Sequence, residues 1–335
     1  MPPGFSLHRI FLAMGWYTIL MEVVGLQDGE GMKKLHRLEI LIGFAAIAVL
    51  QLACGQSAVV DAQEVISASY NGFRDPQPVE ILGYDDDAME PFLSRDGHYL
   101  FYNNSNAPGV NTNLHYALRV DDVTFQYMGE VENVNSEVLD AVPSMDAEWN
   151  LYFVSLRDYG DTLMTIFRGQ FVDGKMNDVV PVAGLSEERL WQVNFDVEVS
   201  ADGETLYFVD GRFRKNEHIP QEANFVMAVK QGEDFERAEN SDEIFQNINT
   251  DSLEYAAAIS ADELEFFFTR LEQDLSSPPE IFRAVRDASD APFSQPEKLS
   301  AITGFVEAAT LSSDASTLYY HKKENDRFVI YRVVR

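Results

Sequence analysis

Glu90-Pro91-Phe92-Leu93-Ser94-Arg95-Asp96-Gly97-His98-Tyr99-Leu100-Phe101-Tyr102 is a strand, a tight turn and a second strand in succession. Ser-x-Asp-Gly supplies the turn chemistry, and the Tyr-Leu-Phe-Tyr run has the aromatic content that suits a pleated surface. The pattern recurs as Ser144-Met145-Asp146 before Leu151-Tyr152-Phe153, and as Ser200-Ala201-Asp202 before Leu206-Tyr207-Phe208. It appears again as Ser260-Ala261-Asp262 before Phe266-Phe267-Phe268 and as Ser312-Ser313-Asp314 before Leu318-Tyr319-Tyr320. Successive Asp residues stand 50, 56, 60 and 52 positions apart, the size of a four-stranded propeller blade. Self-similarity at such a period decides the fold before any local signal.

Working outward, each repeat divides into four strand-like segments, with inner strands beginning near Glu90, Asp140, Asp196, Tyr255 and Glu307. The fifth repeat reaches Arg335 after only three of them. Ahead of the first inner strand, Arg74-Asp75-Pro76-Gln77-Pro78-Val79-Glu80-Ile81-Leu82-Gly83 reads like the fourth repeat's outer segment, Ala291 to Leu299. An N-terminal strand that completes the last blade would close the ring and remove its open edges. The expected fold is therefore all-β, a five-bladed β-propeller of four-stranded blades spanning 74–335 and closed by that strand. The Ser-x-Asp pairs read as turn builders; Gly97 and Gly203 follow two of them, with Ala147, Glu263 and Ala315 in the remaining copies.

The chain has 335 residues, 46% of them hydrophobic, enough for a large core. With 25 Lys and Arg against 55 Asp and Glu, its net charge is −30. Such a surface repels phosphate backbones, which excludes nucleic acid as a partner and leaves cations, sugars and basic protein surfaces. The single cysteine, Cys54, rules out an internal disulfide. It follows a basic segment, Met32 to Arg37, and an apolar run from Ile40 to Leu50, too short for a membrane span and suited to an export signal. The arrangement resembles a bacterial lipoprotein signal with Cys54 as the lipidated residue, although Gln51 stands where an apolar residue is usual. It implies a periplasmic or outer-membrane lipoprotein held by a lipid anchor alone. The organisation expected is 1–31 as an extension ahead of the start at Met32, 32–53 as signal peptide, 54–73 as tether, and the propeller beyond.

The repeats resemble those of TolB-type, WD40-like propellers, whose pattern is a polar residue, Pro, an apolar residue, Ser-x-Asp-Gly and a Leu-Tyr-Phe strand. Residues 90–102 match it closely, as do Val197 to Phe208. The N-terminal α/β domain of TolB has no counterpart here. The resemblance implies a monomeric scaffold or binding module for a protein, peptide or glycan ligand.

Five acids sit at or near the start of the inner strands: Glu90, Asp140, Asp196, Glu254 and Glu307. Asn133-Val134-Asn135-Ser136 precedes Asp140 as Asn247-Ile248-Asn249-Thr250 precedes Glu254, at the same offset. Three readings are open for this ring. The acids cap strand ends; or they hold a hard cation such as Ca2+ in the channel; or two of them perform glycoside hydrolysis, since five-bladed propellers also house arabinanase-type and fructosidase-type enzymes. The first hypothesis is a cell-envelope binding protein, and the alternative is a glycosidase. The basic loop from Arg212 to Pro220, and Trp149, Trp191 and Tyr159 as sugar-stacking rings, are secondary candidates.

Overall fold

The computed structural model describes residues 68–107, 110–214 and 219–335. The signal segment, Cys54 and most of the expected tether lie outside them. The regular structure of the described residues is almost all strand, arranged largely as antiparallel meanders of four, with one-turn helices at Tyr159–Thr162 and Ser241–Ile244.

Three short strands come first: β1 (Ser69–Tyr70), β2 (Arg74–Pro78) and β3 (Glu80–Leu82). The first meander is β4 (Met89–Leu93), β5 (Tyr99–Asn103), β6 (Leu114–Arg119) and β7 (Thr124–Glu130). The second is β8 (Asp140–Met145), β9 (Asn150–Ser155), β10 (Ile166–Val172) and β11 (Lys175–Pro181). The third is β12 (Gln192–Val199), β13 (Thr205–Arg212), β14 (Glu222–Gln231) and β15 (Asp234–Arg237). The fourth is β16 (Leu253–Ile259), β17 (Glu265–Leu271), β18 (Glu280–Val285) and β19 (Glu297–Leu299). The last run holds β20 (Val306–Leu311), β21 (Thr317–Glu324) and β22 (Arg327–Val334), and β2 pairs antiparallel with β22 as its fourth strand.

The segment expected to be one strand, 74–83, is divided. β2 ends at Pro78, the Val79 N–H reaches Ile330 O at 2.8 Å, and β3 then lies parallel to β7. Proline cannot donate to a ladder, so Pro76 and Pro78 are tolerated only because β2 is an edge strand. β1, inside the expected tether, already pairs parallel with β19. Fourteen residues, 69–82, thus touch three different sheets.

The aromatic second strands fill the spaces between sheets. Phe101 meets Phe171 edge-on with ring centroids 4.9 Å apart, Tyr152 meets Phe235 at 6.1 Å, Tyr207 meets Phe266 at 5.7 Å and Tyr319 meets Phe125 at 6.1 Å. Each pair spans neighbouring meanders, so burial of these rings is what holds the sheets face to face.

In four of the five turns the Ser Oγ donates to the Asp Oδ1 two residues on at 2.6 Å: Ser94 to Asp96, Ser200 to Asp202, Ser260 to Asp262 and Ser312 to Asp314. The second repeat departs from this. There Asp146 itself accepts the N–H groups of Glu148 and Asn150, each at 2.9 Å, and takes the place that Ser holds elsewhere. Ser144 lies two residues further back, fully buried; its Oγ donates to Glu198 Oε2 at 2.6 Å and accepts the Val199 N–H at 3.0 Å. The glycine position of that turn is accordingly Trp149, not Ala147. Its φ of 68° matches 74° at Gly97, 75° at Gly203, and 58° at both Glu263 and Ala315.

Every inner strand carries a β-bulge two residues before its register resumes, with one residue in the left-handed region. These are Glu90 (φ 49°), Val142 (54°), Asp196 (53°), Ala256 (56°) and Ala308 (53°). Bulges re-aim side chains, and four of these residues, Glu90, Val142, Ala256 and Ala308, line a common cavity between β4, β8, β12, β16 and β20.

Two substitutions with the same local sequence test the phase correction. Ser200→Ala removes a turn bond and is expected to cost about 1 kcal/mol, whereas Ser144→Ala strips a donor from a buried carboxylate and is expected to cost about 2–3 kcal/mol. Urea denaturation of both variants measures the difference.

Candidate functional site

Counted from the corrected turn positions, the five acids fall into different places on their strands. Glu90 and Asp196 are the bulge residues themselves, Glu307 comes immediately before a bulge, and Asp140 and Glu254 come two residues before one. Because a bulge re-aims the side chains at and beside it, the acids on or adjacent to a bulge are directed differently from those two residues before one.

Glu90, Asp196 and Glu307 converge. Asp196 and Glu307 are buried at 4% and 3% exposure, while Glu90 remains partly exposed. Their hydrogen-bond donors are unequally shared. Glu307 has two: the Tyr255 hydroxyl donates to Oε1, and His321 Nε2 lies 3.3 Å from Oε2. Asp196 Oδ2 accepts the Ala256 N–H at 3.0 Å. For Glu90 there is only Asn106 Nδ2, at 3.5 Å from Oε1. The electrostatics follow the same order. Burial, then the charges of Asp196 and Glu307, push the Glu90 carboxyl well above the usual carboxylate range. Burial, and then Glu307 against the opposing bond from Ala256, pushes Asp196 up to about 7. The Tyr255 hydroxyl is driven up as well, by burial and then by Glu307. Burial together with the neighbouring carboxylates thus favours the protonated forms of Glu90 and Asp196.

Asp140 and Glu254 do not join this cluster. Each is the centre of a clamp built twice from the motif already visible in the sequence. The Asn135 side chain exchanges bonds of 2.7 and 3.1 Å with the backbone of Leu114, as Asn249 does at 2.8 and 3.0 Å with Phe225. Ser136 donates from N and Oγ to Asp140 at 2.5 and 2.7 Å; Thr250 donates likewise to Glu254 at 3.1 and 2.6 Å. Arg157 pairs with Asp140 at 2.5 Å and caps Val134 O, and Arg270 pairs with Glu254 at 2.7 Å and caps Ile248 O. Of the five acids at the strand starts, three are thus brought together and two stand apart in loop clamps.

The cavity between the inner strands is small, about 20 Å3, lined by Glu90, Val142, Ala256 and Ala308 together with Phe92, Glu198 and Thr310. Room on this scale accepts a water molecule and nothing larger. At the turn end of these strands Arg95 reaches across from the first meander to Glu198 at 3.2 Å and to the carbonyls of Met145 and Val199 at 3.0 and 2.5 Å. Among the described residues no group of three or more His, Cys, Asp or Glu is placed to hold a metal ion.

Among the secondary candidates, two of the aromatic rings pack against neighbouring residues. Tyr159 is wholly buried with its hydroxyl on Gln192 O, and Trp149 packs edge-on against Tyr99 at 5.4 Å. Arg212 pairs with Glu222, and residues 215–218 of the basic loop lie outside the described residues. A separate polar pocket of about 840 Å3 lies over the third meander, where Asp210, Arg212, Glu222, Asn224, Arg237 and Asn249 are among its walls. Sequence reasoning did not find Tyr255, His321 or Asn106. His321 stands directly opposite Glu307 in the β20–β21 register, so strand pairing was the signal that would have exposed it.

Two outcomes follow. Asp196 takes up protons more readily folded than unfolded, so its contribution to stability falls as pH rises from 3.8 toward 7. Asp196→Asn keeps an acceptor for Ala256 and is expected to gain up to about 4 kcal/mol over wild type at pH 8, and little at pH 4, in urea titrations at both pH values. Arg270→Met leaves Glu254 buried without its cation and is expected to cost about 3–5 kcal/mol; adding Glu254→Gln recovers a large part of that loss.

No family model and no curated protein matches the chain. Solved structures do. A GH62 hydrolase in complex with xylotriose is similar over 81% of this chain and 99% of its own, at 9% identity and a TM-score of 0.51. Zg3597, a family 117 glycoside hydrolase produced by the marine bacterium Zobellia galactanivorans, is similar over 78% and 90%, at 10% identity and a TM-score of 0.51. TolB from Acinetobacter baumannii matches over 75% of this chain and 55% of its own, at 11% identity and a TM-score of 0.41. At these identities the likeness concerns fold, and the fold is that of a β-propeller.

Proposed function

We propose that the chain is a five-bladed propeller, closed by β2 on β22, that acts on glycosidic bonds through Glu90, Asp196 and Glu307. The observation that carries this reading is the unequal sharing of hydrogen-bond donors among three converging carboxyl groups. Glycoside hydrolysis needs one carboxylic acid that keeps its proton near neutral pH and one carboxylate that does not, held close together. Glu90, with one long bond and two like charges beside it, is suited to be the general acid. Glu307, buried and accepting from Tyr255 and His321, is suited to be the base that activates a water molecule. Asp196 lies near both and adds to the field that keeps the proton on Glu90. The glycoside hydrolases among the similar structures are consistent with this chemistry, although their likeness bears on fold alone.

The site would work at the cell envelope if Cys54 carries the expected lipid. A second reading, a non-catalytic binding module there, is favoured by the 840 Å3 pocket, a size that suits a ligand and one set apart from the three acids.

The purified protein incubated with arabinan, xylan and fructan oligosaccharides is expected to release reducing ends from one of them. Glu90→Gln and Glu307→Gln are each expected to lower that rate about 100-fold or more. Folded wild-type protein that cuts none of the panel, or turnover that survives both substitutions, overturns the enzymatic reading in favour of binding.

A further inference from the structure

His321 is wholly buried, on the second strand of the last meander, yet it contacts the first. Its Nδ1 accepts the backbone N–H of Glu90 at 3.0 Å, and its Nε2 faces Glu307 Oε2 at 3.3 Å. A backbone amide can only donate, so Nδ1 must be the bare nitrogen. The ring proton of the neutral imidazole then sits on Nε2 and points at Glu307. One ring thereby touches the backbone of one carboxyl residue and the side chain of another, and the direction of its proton is dictated by the bulge at Glu90.

From this geometry we infer that His321 is a positioning residue that fixes which of the three carboxyl groups stays ionised. The inference rests on reading the cluster as an acid and base set. By donating from Nε2, the ring favours the charged form of Glu307, as does the Tyr255 hydroxyl from β16. A charged Glu307 in turn is one of the causes that hold the proton on Glu90. The groups facing this arrangement are Glu90 on β4, Asp196 on β12, Tyr255 on β16 and Glu307 on β20. Phe328 closes the imidazole edge-on at 5.3 Å, and the adjacent Lys322 and Lys323 lie over the rings of Tyr331 and Phe328. His321 need not touch a substrate to perform this role; it acts through Glu307.

Two isosteres divide the ring's functions. Asn at 321 keeps an acceptor near the Nδ1 position and loses the donor toward Glu307; Gln places an amide donor near the Nε2 position. In the wild-type protein, nitrogen NMR of the neutral imidazole is expected to show Nε2 protonated and Nδ1 bare. Carbon NMR of the Glu90 carboxyl is expected to show its titration midpoint lower in His321→Asn by roughly one pH unit, a tenfold change in proton affinity, and close to wild type in His321→Gln. A proton on Nδ1, or a Glu90 midpoint that moves equally in both variants, overturns the inference. These readouts need no substrate, so an absence of glycan turnover defeats the proposed reaction without touching them. If turnover is found, the acidic limb of its pH profile is expected to move in His321→Asn and to be restored in His321→Gln.

Discussion

A buried backbone N–H must find an acceptor, and the inner-strand bulges create such groups at the centre of the molecule. Each bulge withdraws a residue from the antiparallel ladder. The acceptor comes from the preceding meander in four cases: Glu90 N–H goes to His321, Val142 N–H to Asn103 Oδ1 at 3.1 Å, Ala256 N–H to Asp196, and Ala308 N–H to Thr269 Oγ1 at 3.1 Å. Asn103, Thr269 and His321 occupy the same register position on their second strands, opposite Met89, Tyr255 and Glu307. Val209 holds that position in the third meander, opposite Phe195, and offers no acceptor. There the carboxylate of Asp196 supplies the bond to Ala256 instead. The polar residues at the centre are thus first of all answers to a backbone requirement, and the chemistry of the cluster is built from them.

The same economy appears at the loops that enter the second and fourth meanders. The repeated Asn, Ser or Thr, acid and Arg fix a loop to the third strand of the meander it leaves and to the first strand of the meander it enters. Because both clamps pair a buried carboxylate with a guanidinium, the charge is neutralised where it is buried, and the side chains are committed to structure.

The fold was legible because a propeller repeats its turn chemistry and its aromatic second strands, and both signals are local. The site was legible only in part. All three converging acids stand among the five acids at the strand starts, but separating them from Asp140 and Glu254 requires a phase accurate to one residue. Ser144-Met145-Asp146 obscured that phase by imitating the turn motif two residues early. Taking Asp146 as the turn residue sets Glu90 and Asp196 four positions ahead of their turns, Glu307 five, and Asp140 and Glu254 six, so the two clamp acids share an offset that no cluster acid has. His321, Tyr255 and Asn106 carry no sequence signal of their own, since their roles arise from pairing across strands and across meanders.

The buried acids finally sort by the company they keep. Glu198 has Arg95, Asp140 has Arg157 and Glu254 has Arg270. Among the described residues, Glu90, Asp196 and Glu307 form no ion pair with Lys or Arg; their nearest polar partners are His321, the Tyr255 hydroxyl, Asn106 and backbone. A chain with arginines to spare for three buried carboxylates leaves the other three without one, in the place where they also repel each other. Burying like charges without a cation works against folding, and that cost is avoided only when the cluster holds protons. Structure alone would be served better by neutral residues at these positions, since an amide at 196 would still accept from the Ala256 N–H and Ala256 and Ala308 serve at two of the bulges. The retained acidity is therefore the strongest mark of function in the molecule, because it is the one feature of the core that folding does not require.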